Sequence, residues 1–253
     1  MIGGRHLLIG MLLLAGALSP GLPRAQGTVH GTTYGTTQET TQGTDHPPDT
    51  MEARLRACVP CHGAQGQGTS NDYFPRLAGK PEQYLYEQLV AFHQGRRHYA
   101  PMNYLLQYQT ESYLLEIAGY FAAQPLPPQP ASVPSVTPQA LAHGQSLVMN
   151  GDPGRGIPPC SGCHGRSFSG MQPGIPGLVG LKADYITAQL GAWRYGTRTA
   201  KAPDCMQQVA GRLTDLDVTA VAAYLASLPV PAGTAPLPAG TLKTPLRCGS
   251  EPQ

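Results

Sequence analysis

Apolar side chains recur at helical spacing in two long segments of the chain, residues 74–97 and 175–198. In the first segment Leu85, Leu89 and Phe92 fall at positions i, i+4 and i+7. Residues with this spacing lie on one face of an α-helix. Each segment therefore predicts an amphipathic helix. The equivalent positions of the second segment are also apolar: Ile186, Leu190 and Trp193.

The two segments are also copies of each other, because a set of residues recurs at an offset of 101 positions. The first copy of this set is Pro75, Leu77, Gly79, Tyr84, Gln88, Leu89, Ala91, Gly95 and Arg97. A second pair of helical patterns, at 110–124 and 214–228, repeats in the same order. Thr214 with Asp217 resembles a capping box that opens the later helix. The repeat predicts an all-α protein with two similar domains, since no segment has a confident strand pattern.

The N-terminal part of the chain differs in composition from these domains. Residues 1–25 place Arg5 before a short apolar run, which is the layout of a secretory signal peptide. The run is too short to span a bilayer comfortably, although an uncleaved membrane tether is an alternative interpretation. Residues 26–50 are rich in Thr and Gly and nearly free of large apolar side chains, which predicts a flexible segment.

Composition also sets the remaining boundaries. We expect a first domain at 51–124, a linker at 125–137 and a second domain at 138–229. The prolines of the linker favour an extended, semi-rigid connection. Residues 230–253 form a tail that is again rich in Pro and Gly.

Each domain carries one copy of a short cysteine motif. The first copy, CVPCH, contains Cys58, Cys61 and His62. Two thiols followed at once by a histidine are typical of covalent haem c, in which the thiols form thioethers and the histidine binds the iron. A redox thiol pair or a zinc site would not require the histidine in both copies. We therefore predict two covalent haem c groups. The second copy supplies Cys160, Cys163 and His164.

The sixth iron ligand is predicted from the repeat. Met102 lies eight positions before Thr110, and Met206 lies eight before Thr214, so the two methionines occupy matching loops ahead of matching helices. The rival ligands in the first domain are histidines that have no histidine counterpart in the second: His93 and His98. Ligation by His and Met raises the potential and leaves no open iron site, which favours one-electron transfer over catalysis.

Two cysteines remain outside the haem motifs, Cys205 and Cys248. In an exported protein an even pair of this kind predicts a disulfide. Free thiols are one alternative, and a second is that Cys205 binds iron in place of the adjacent Met206.

The charge balance argues against several other function classes. Only 13% of residues are charged, compared with about 25% in an average domain. Without residues 1–25, which contain Arg5 and Arg24, the 17 basic residues become 15 and equal the 15 acidic ones. A chain without a basic field is not expected to bind nucleic acid.

These motifs together resemble the cytochrome c4 family, the dihaem cytochromes with two class I domains. The resemblance covers residues 51–230 and includes the segments FPRLAG and IPGLVG. It implies that the carbonyl groups of Pro75 and Pro176 accept hydrogen bonds from the two axial histidines.

The resemblance also implies a role. We expect a periplasmic electron carrier, not an enzyme, which is soluble or loosely attached to the membrane. Its electron donor would be a copper protein or a cytochrome bc1 complex, and its acceptor a terminal oxidase. The alternative is a dihaem electron-transfer subunit of a periplasmic oxidoreductase complex.

Overall fold

The structure, a computed structural model, describes residues 49–251, and all regular elements in this range are helical. The predicted signal peptide and nearly all of the Thr- and Gly-rich segment lie outside the described residues. The α-helices are α1 Met51–Arg54, α2 Val59–His62, α3 Glu82–His93, α4 Ala100–Leu106, α5 Glu111–Ala122, α6 Pro138–Asn150, α7 Ser161–His164, α8 Ala183–Arg194, α9 Cys205–Ala210 and α10 Asp215–Ser227. None of them is long and apolar enough to cross a bilayer. The prediction of an all-α fold is confirmed.

The four helices predicted from hydrophobic spacing are α3, α5, α8 and α10. Helix α5 begins after Thr110, whose side chain accepts a hydrogen bond from the Tyr113 amide at 3.3 Å. Helix α10 begins after Thr214, and the predicted capping box with Asp217 is present. These caps bond amides that the first turn of a helix leaves without a partner. Local sequence therefore fixes where both helices start.

The apolar side chains gather in two clusters, one among α1–α5 and one among α6–α10. Leu114, Ile117, Ala118 and Phe121 of α5 all belong to the first cluster, as their spacing indicated. The corresponding face of α10 joins the second: Val218, Val221, Ala222 and Leu225. Each cluster packs around one cysteine motif.

Part of the linker packs against the second domain. Leu126 is buried in that cluster, although it precedes every helix of the second domain. Further along, Gln129 and Val230 exchange two backbone hydrogen bonds, at 3.0 and 2.8 Å. The extended connection is therefore also part of the packing around the second cluster.

Helix α6 (Pro138–Asn150) was not predicted from its own hydrophobic pattern, and its position depends on a close helix crossing. Gly144 of α6 lies directly against the backbone of Ala220 in α10, and any side chain at 144 would collide with the Ala220 carbonyl. Contact this close is possible only for glycine. The crossing brings α6 over the second core.

Asp217 links three parts of the second domain. Its carboxylate accepts hydrogen bonds from His143 Nε2 at 2.7 Å and from Arg155 Nη1 at 2.6 Å. Burial alone would raise the pKa of Asp217, but hydrogen bonds from Arg155, Thr214 and His143 outweigh it and lower the pKa below its usual value. The ionised carboxylate therefore stabilises the fold.

We expect Asp217→Asn to lower the free energy of unfolding of the second domain by roughly 2 kcal/mol, because it removes a buried ion pair and half of the capping box. Since the folded pKa of Asp217 is lowered, its contribution is complete above the unfolded value of about 3.9 and is lost as the pH falls below it. Chemical denaturation of both proteins at several pH values measures this. A deficit that stayed constant down to strongly acidic pH would contradict the role of the charge.

Candidate haem sites

The first cysteine motif opens into a cavity of about 500 Å³. Cys61 and His62 line it from α2, Cys58 lines it from the position just before that helix, and Met102 lines it from α4. Helix α2 ends at His62 because Gly63 takes a φ of 80°, a conformation that favours glycine. The predicted thioether cysteines and both predicted axial ligands therefore share one cavity.

The second motif lies on a cavity of about 190 Å³. Cys160, Cys163 and His164 line it from the α7 region, and Met206 lines it from α9. The C-terminal tail contributes to this wall through Leu246, Cys248, Ser250 and Glu251. Of the tail residues that the structure describes, 230–251, none lines the first cavity.

Both histidines are oriented by a proline carbonyl. The ring Nδ1 of His62 lies 2.9 Å from the Pro75 oxygen, and that of His164 lies 2.8 Å from the Pro176 oxygen. A carbonyl can only accept, so Nδ1 carries the proton and donates, and Nε2 keeps its lone pair for a metal. Burial lowers the pKa of both imidazoles, and the proline hydrogen bonds oppose it only in part. The neutral form that iron requires is therefore favoured.

The two methionines lie in short helices and not in the loops expected from the sequence. Met102 lies in α4 and Met206 in α9. Asp204 caps α9 by accepting from the Gln207 amide at 3.0 Å. Asn103 holds α4 by donating to the carbonyls of Phe92 and Arg97. Spacing along the sequence located the residues but gave no sign of these helical turns.

The rival histidines of the first domain differ in position. His93 is exposed, contacts the Leu106 carbonyl through Nδ1 at 2.9 Å and lies outside the cavity lining. His98 is exposed but does line the cavity, and its counterpart Thr199 lines the second one. Ligation by Met102 therefore stays a prediction, with His98 as the residue to test against it.

The two remaining cysteines, Cys205 and Cys248, are joined in a disulfide. The bridge closes directly beside Met206 and ties the C-terminal tail to the start of α9. The four cysteines of the haem motifs are unpaired in the structure, as thioether formation requires.

Four buried cations surround the two cavities. Their side chains donate to carbonyl, amide and hydroxyl oxygens, and within residues 49–251 none of them forms an ion pair with a carboxylate. They are Arg76, Lys80, Arg97 and Arg198. Burial lowers the pKa of Arg76 to about 10 and also lowers that of Lys80.

An unpaired buried charge is expensive, so these cations fit an anionic group in the cavities. Haem carries two propionate carboxylates, and its ring is otherwise apolar, like most of the lining. Trp193 is a second buried polar group that would find a partner in an anionic cofactor. Its buried Nε1 lines the second cavity and has no hydrogen-bond partner among the described residues. The residues present therefore fit haem.

The cations also join the two domains in a reciprocal network. Arg97 donates to Tyr185 at 3.0 Å and to Gln189 at 2.7 Å. Arg198 donates to Tyr84 at 3.3 Å and to Gln88 at 2.6 Å. Each arginine therefore donates to one tyrosine and one glutamine of the other domain, and these residues are repeat counterparts of each other. Their recurrence was visible in the sequence, but nothing there showed that the copies face each other.

Comparison with known proteins agrees with this geometry. The cytochrome c family model matches residues 141–229. A thiosulfate dehydrogenase electron acceptor of Thiomonas intermedia is 40% identical over 69% of this chain and 79% of its own length. Cytochrome c4 of Pseudomonas aeruginosa is 36% identical over 70% of this chain and 86% of its own.

Two solved structures are also similar. Reduced cytochrome c4 of Pseudomonas stutzeri has a TM-score of 0.62 and 31% identity, covering 70% of this chain and 96% of that one. Thiosulfate dehydrogenase of Marichromatium purpuratum has a TM-score of 0.60 and 35% identity, covering 67% of this chain but only 36% of that one.

Fold, motif and relatives define a c-type cytochrome, an electron-transfer protein with covalently bound haem c. Within that class the chain belongs to the cytochrome c4 family.

The buried cations generate a prediction for the holoprotein. We expect Arg97→Met to lower a haem potential by roughly 50 mV, or about 1 kcal/mol, because a nearby positive charge stabilises the ferrous state. The matched control is Arg212→Met, which removes an exposed cation whose contact is the Gly156 carbonyl. Potentiometric titration measures both. Equal shifts in the two variants would show that the buried position of Arg97 does not matter.

Proposed function

We propose that this protein is a dihaem electron carrier, with one haem c in each cavity. The observation that carries the proposal is the duplicated site, in which a CxxCH motif and a methionine line the same cavity twice. A single site of this kind is sufficient for a cytochrome with one haem. Two sites joined by a buried hydrogen-bond network are suited to electron transfer from one site to the other.

Each residue type has a defined task in this proposal. The haem iron supplies the reversible one-electron chemistry. The cysteines would hold the ring covalently, the histidine of each motif would bind the iron through Nε2, and the proline carbonyl would keep that imidazole in its orientation. Met102 and Met206 would each supply a further iron ligand and would favour the ferrous state. The buried arginines and Lys80 would compensate the propionate charges.

We place the carrier in the periplasm. An export signal at 1–25, thioether attachment and a disulfide all suit an oxidising compartment. Its redox partners would be a donor such as a copper protein or a cytochrome bc1 complex and an acceptor such as a terminal oxidase. Such partners dock through small, transient interfaces.

A second role, electron acceptor for a thiosulfate-oxidising dehydrogenase, is favoured by the relatives. The Thiomonas protein carries that name, and the Marichromatium structure is a thiosulfate dehydrogenase. In this role the chain receives electrons from a catalytic partner and performs no catalysis itself. Reduction of the purified protein by a thiosulfate dehydrogenase with thiosulfate, compared with reduction by a bc1 complex, separates the two roles.

Covalent attachment gives a direct test of cofactor number. Protein purified from an exporting host should carry two haems that stay with the polypeptide after denaturation and acid–acetone extraction. Cys61→Ala should remove one thioether from the first domain only, and Cys163→Ala one from the second, as mass spectrometry of haem peptides would show. Colour released into the solvent would contradict thioether attachment.

The axial ligands generate a second test. Met102→His and Met206→His should each lower one haem potential and leave the other nearly unchanged, because imidazole stabilises ferric iron better than a thioether does. The oxidised wild type should show the weak near-infrared band of an iron–sulfur bond, reduced by about half in each variant. His98→Ala is the matched control for the first site. If it shifts the first potential while Met102→His does not, His98 is the ligand.

A further inference from the structure

We infer that the C-terminal tail, residues 230–251, covers the second haem site, so that electron exchange with protein partners takes place at the first domain. The inference rests on the proposed function, since it concerns the route by which electrons reach two haems. Three sets of contacts hold the tail in place.

The first set bonds the middle of the tail to the loop after the second motif. The Leu237 amide donates to the Gly170 carbonyl at 2.9 Å, and the Leu237 carbonyl accepts from the Gln172 amide at 2.8 Å. The Leu242 amide lies 3.4 Å from the buried Met171 sulfur. This part of the tail is therefore paired with the loop as a short strand would be.

The second set holds the end of the tail against the methionine helix. Cys248 is bonded to Cys205, and the Gly249 amide donates to the Pro203 carbonyl at 3.0 Å. Both contacts lie within three positions of Met206. The disulfide makes this end of the cover covalent.

The third set lies over the cysteine motif itself. A Cβ atom placed on Gly162, between the two haem cysteines, would lie 3.7 Å from Pro245 Cδ. Leu246, Ser250 and Glu251 of the tail line the same cavity as the two haem cysteines. The thioether edge of the ring is attached at these cysteines. The tail therefore lies between that edge and the solvent.

The first domain provides an internal comparison. Pro60 is exposed, whereas its counterpart Gly162 is half-buried. Gln67 is exposed, whereas its counterpart Ser169 is only 5% exposed. Gly162 has Pro245 of the tail as a neighbour, so the tail contributes to the burial of the second motif.

The rim of the first cavity is open and aromatic. Tyr73 and Leu105 line this cavity and are still 41% and 40% exposed. Tyr104 and Tyr108, on and just after α4, are 74% and 87% exposed. Tyrosine is enriched where proteins dock. The geometry thus favours a partner whose own redox centre lies behind an uncharged, apolar face, as in blue copper proteins.

Electron tunnelling falls steeply with the distance between the two redox centres. A partner docked on the first rim approaches that haem directly, whereas one docked over the second motif is separated from it by the tail. Electrons on the second haem then leave through the first haem and the reciprocal network between the domains.

The test uses four full holoproteins: the wild type, Met102→His, a chain ending at Ala235 with Cys205→Ser, and the combination of the last two. Met102→His lowers the potential of the first haem and makes the proposed route uphill for electrons from the second. Each reduced protein is mixed with an oxidised blue copper protein. One electron passes from ferrous haem to Cu(II), giving ferric haem and Cu(I), and stopped-flow absorbance follows it.

We expect the second haem of Met102→His to be oxidised at least about tenfold more slowly than in the wild type, since each 59 mV of uphill transfer reduces the rate by that factor. Shortening the tail should restore most of the rate. A rapid second phase in Met102→His with the tail intact would overturn the inference. No restoration in a shortened chain that keeps its iron–sulfur band would overturn it as well.

Two controls accompany this test. If shortening the tail removes the near-infrared band, the full-length variant without the disulfide, with Cys205→Ser and Cys248→Ser, is used in place of the shortened chain. The same expected and contradicting results then apply to it. Hydrogen–deuterium exchange of residues 160–172, which include the Gln172 amide bonded to Leu237, should accelerate when the tail is shortened, while residues 58–70 stay unchanged. Unchanged exchange in 160–172 would show that the tail is no cover. A wild type without two reducible haems would instead refute the proposed function.

Discussion

Within residues 49–251, the burial of four positive side chains without a carboxylate partner constrains most of the fold. Arg76, Lys80, Arg97 and Arg198 lie between the two domains, where water cannot solvate them. Neutral oxygens from both domains accept their hydrogen bonds, so the domains must stay in register to satisfy them. The remaining charge calls for anions in the adjoining cavities. One electrostatic requirement therefore couples the domain packing to the nature of the cofactor.

The same requirement explains why the two sites are joined. Each arginine reaches across to a tyrosine and a glutamine of the other domain, and the residue types are the same in both directions. The pairing also places the polar groups that border both cavities in one buried region. A change at Arg97 therefore affects the first cavity and the contact with the second domain together.

The two domains are nevertheless not equivalent around their cavities. The second carries a tail that its repeat partner lacks, fixed by the Cys205–Cys248 bridge and by backbone bonds to the loop at Gly170. The first instead exposes tyrosines around its cavity. Because of this asymmetry, the first cavity is accessible to a docking partner, whereas the C-terminal tail covers the second cavity.

The sequence by itself determined the local features, because these depend on residues close together in the chain. Spacing predicted α3, α5, α8 and α10, Thr214 with Asp217 predicted a cap, and CxxCH predicted covalent haem, whose presence the relatives support. The repeat also selected Met102 and Met206, which line the expected cavities, although it placed them in loops and not in the helices α4 and α9.

Only the tertiary structure decided which distant residues meet. Arg97 and Arg198 were visible as a repeated pair, but facing contacts between copies leave no mark on local spacing. Helix α6 depends on the glycine crossing at Gly144, and the tail reaches Gly162 across more than 80 positions of chain. Such contacts are selected by complementary shape and charge after the chain has collapsed. Sequence periodicity reports the period of a single element, so it contains no information on these pairings.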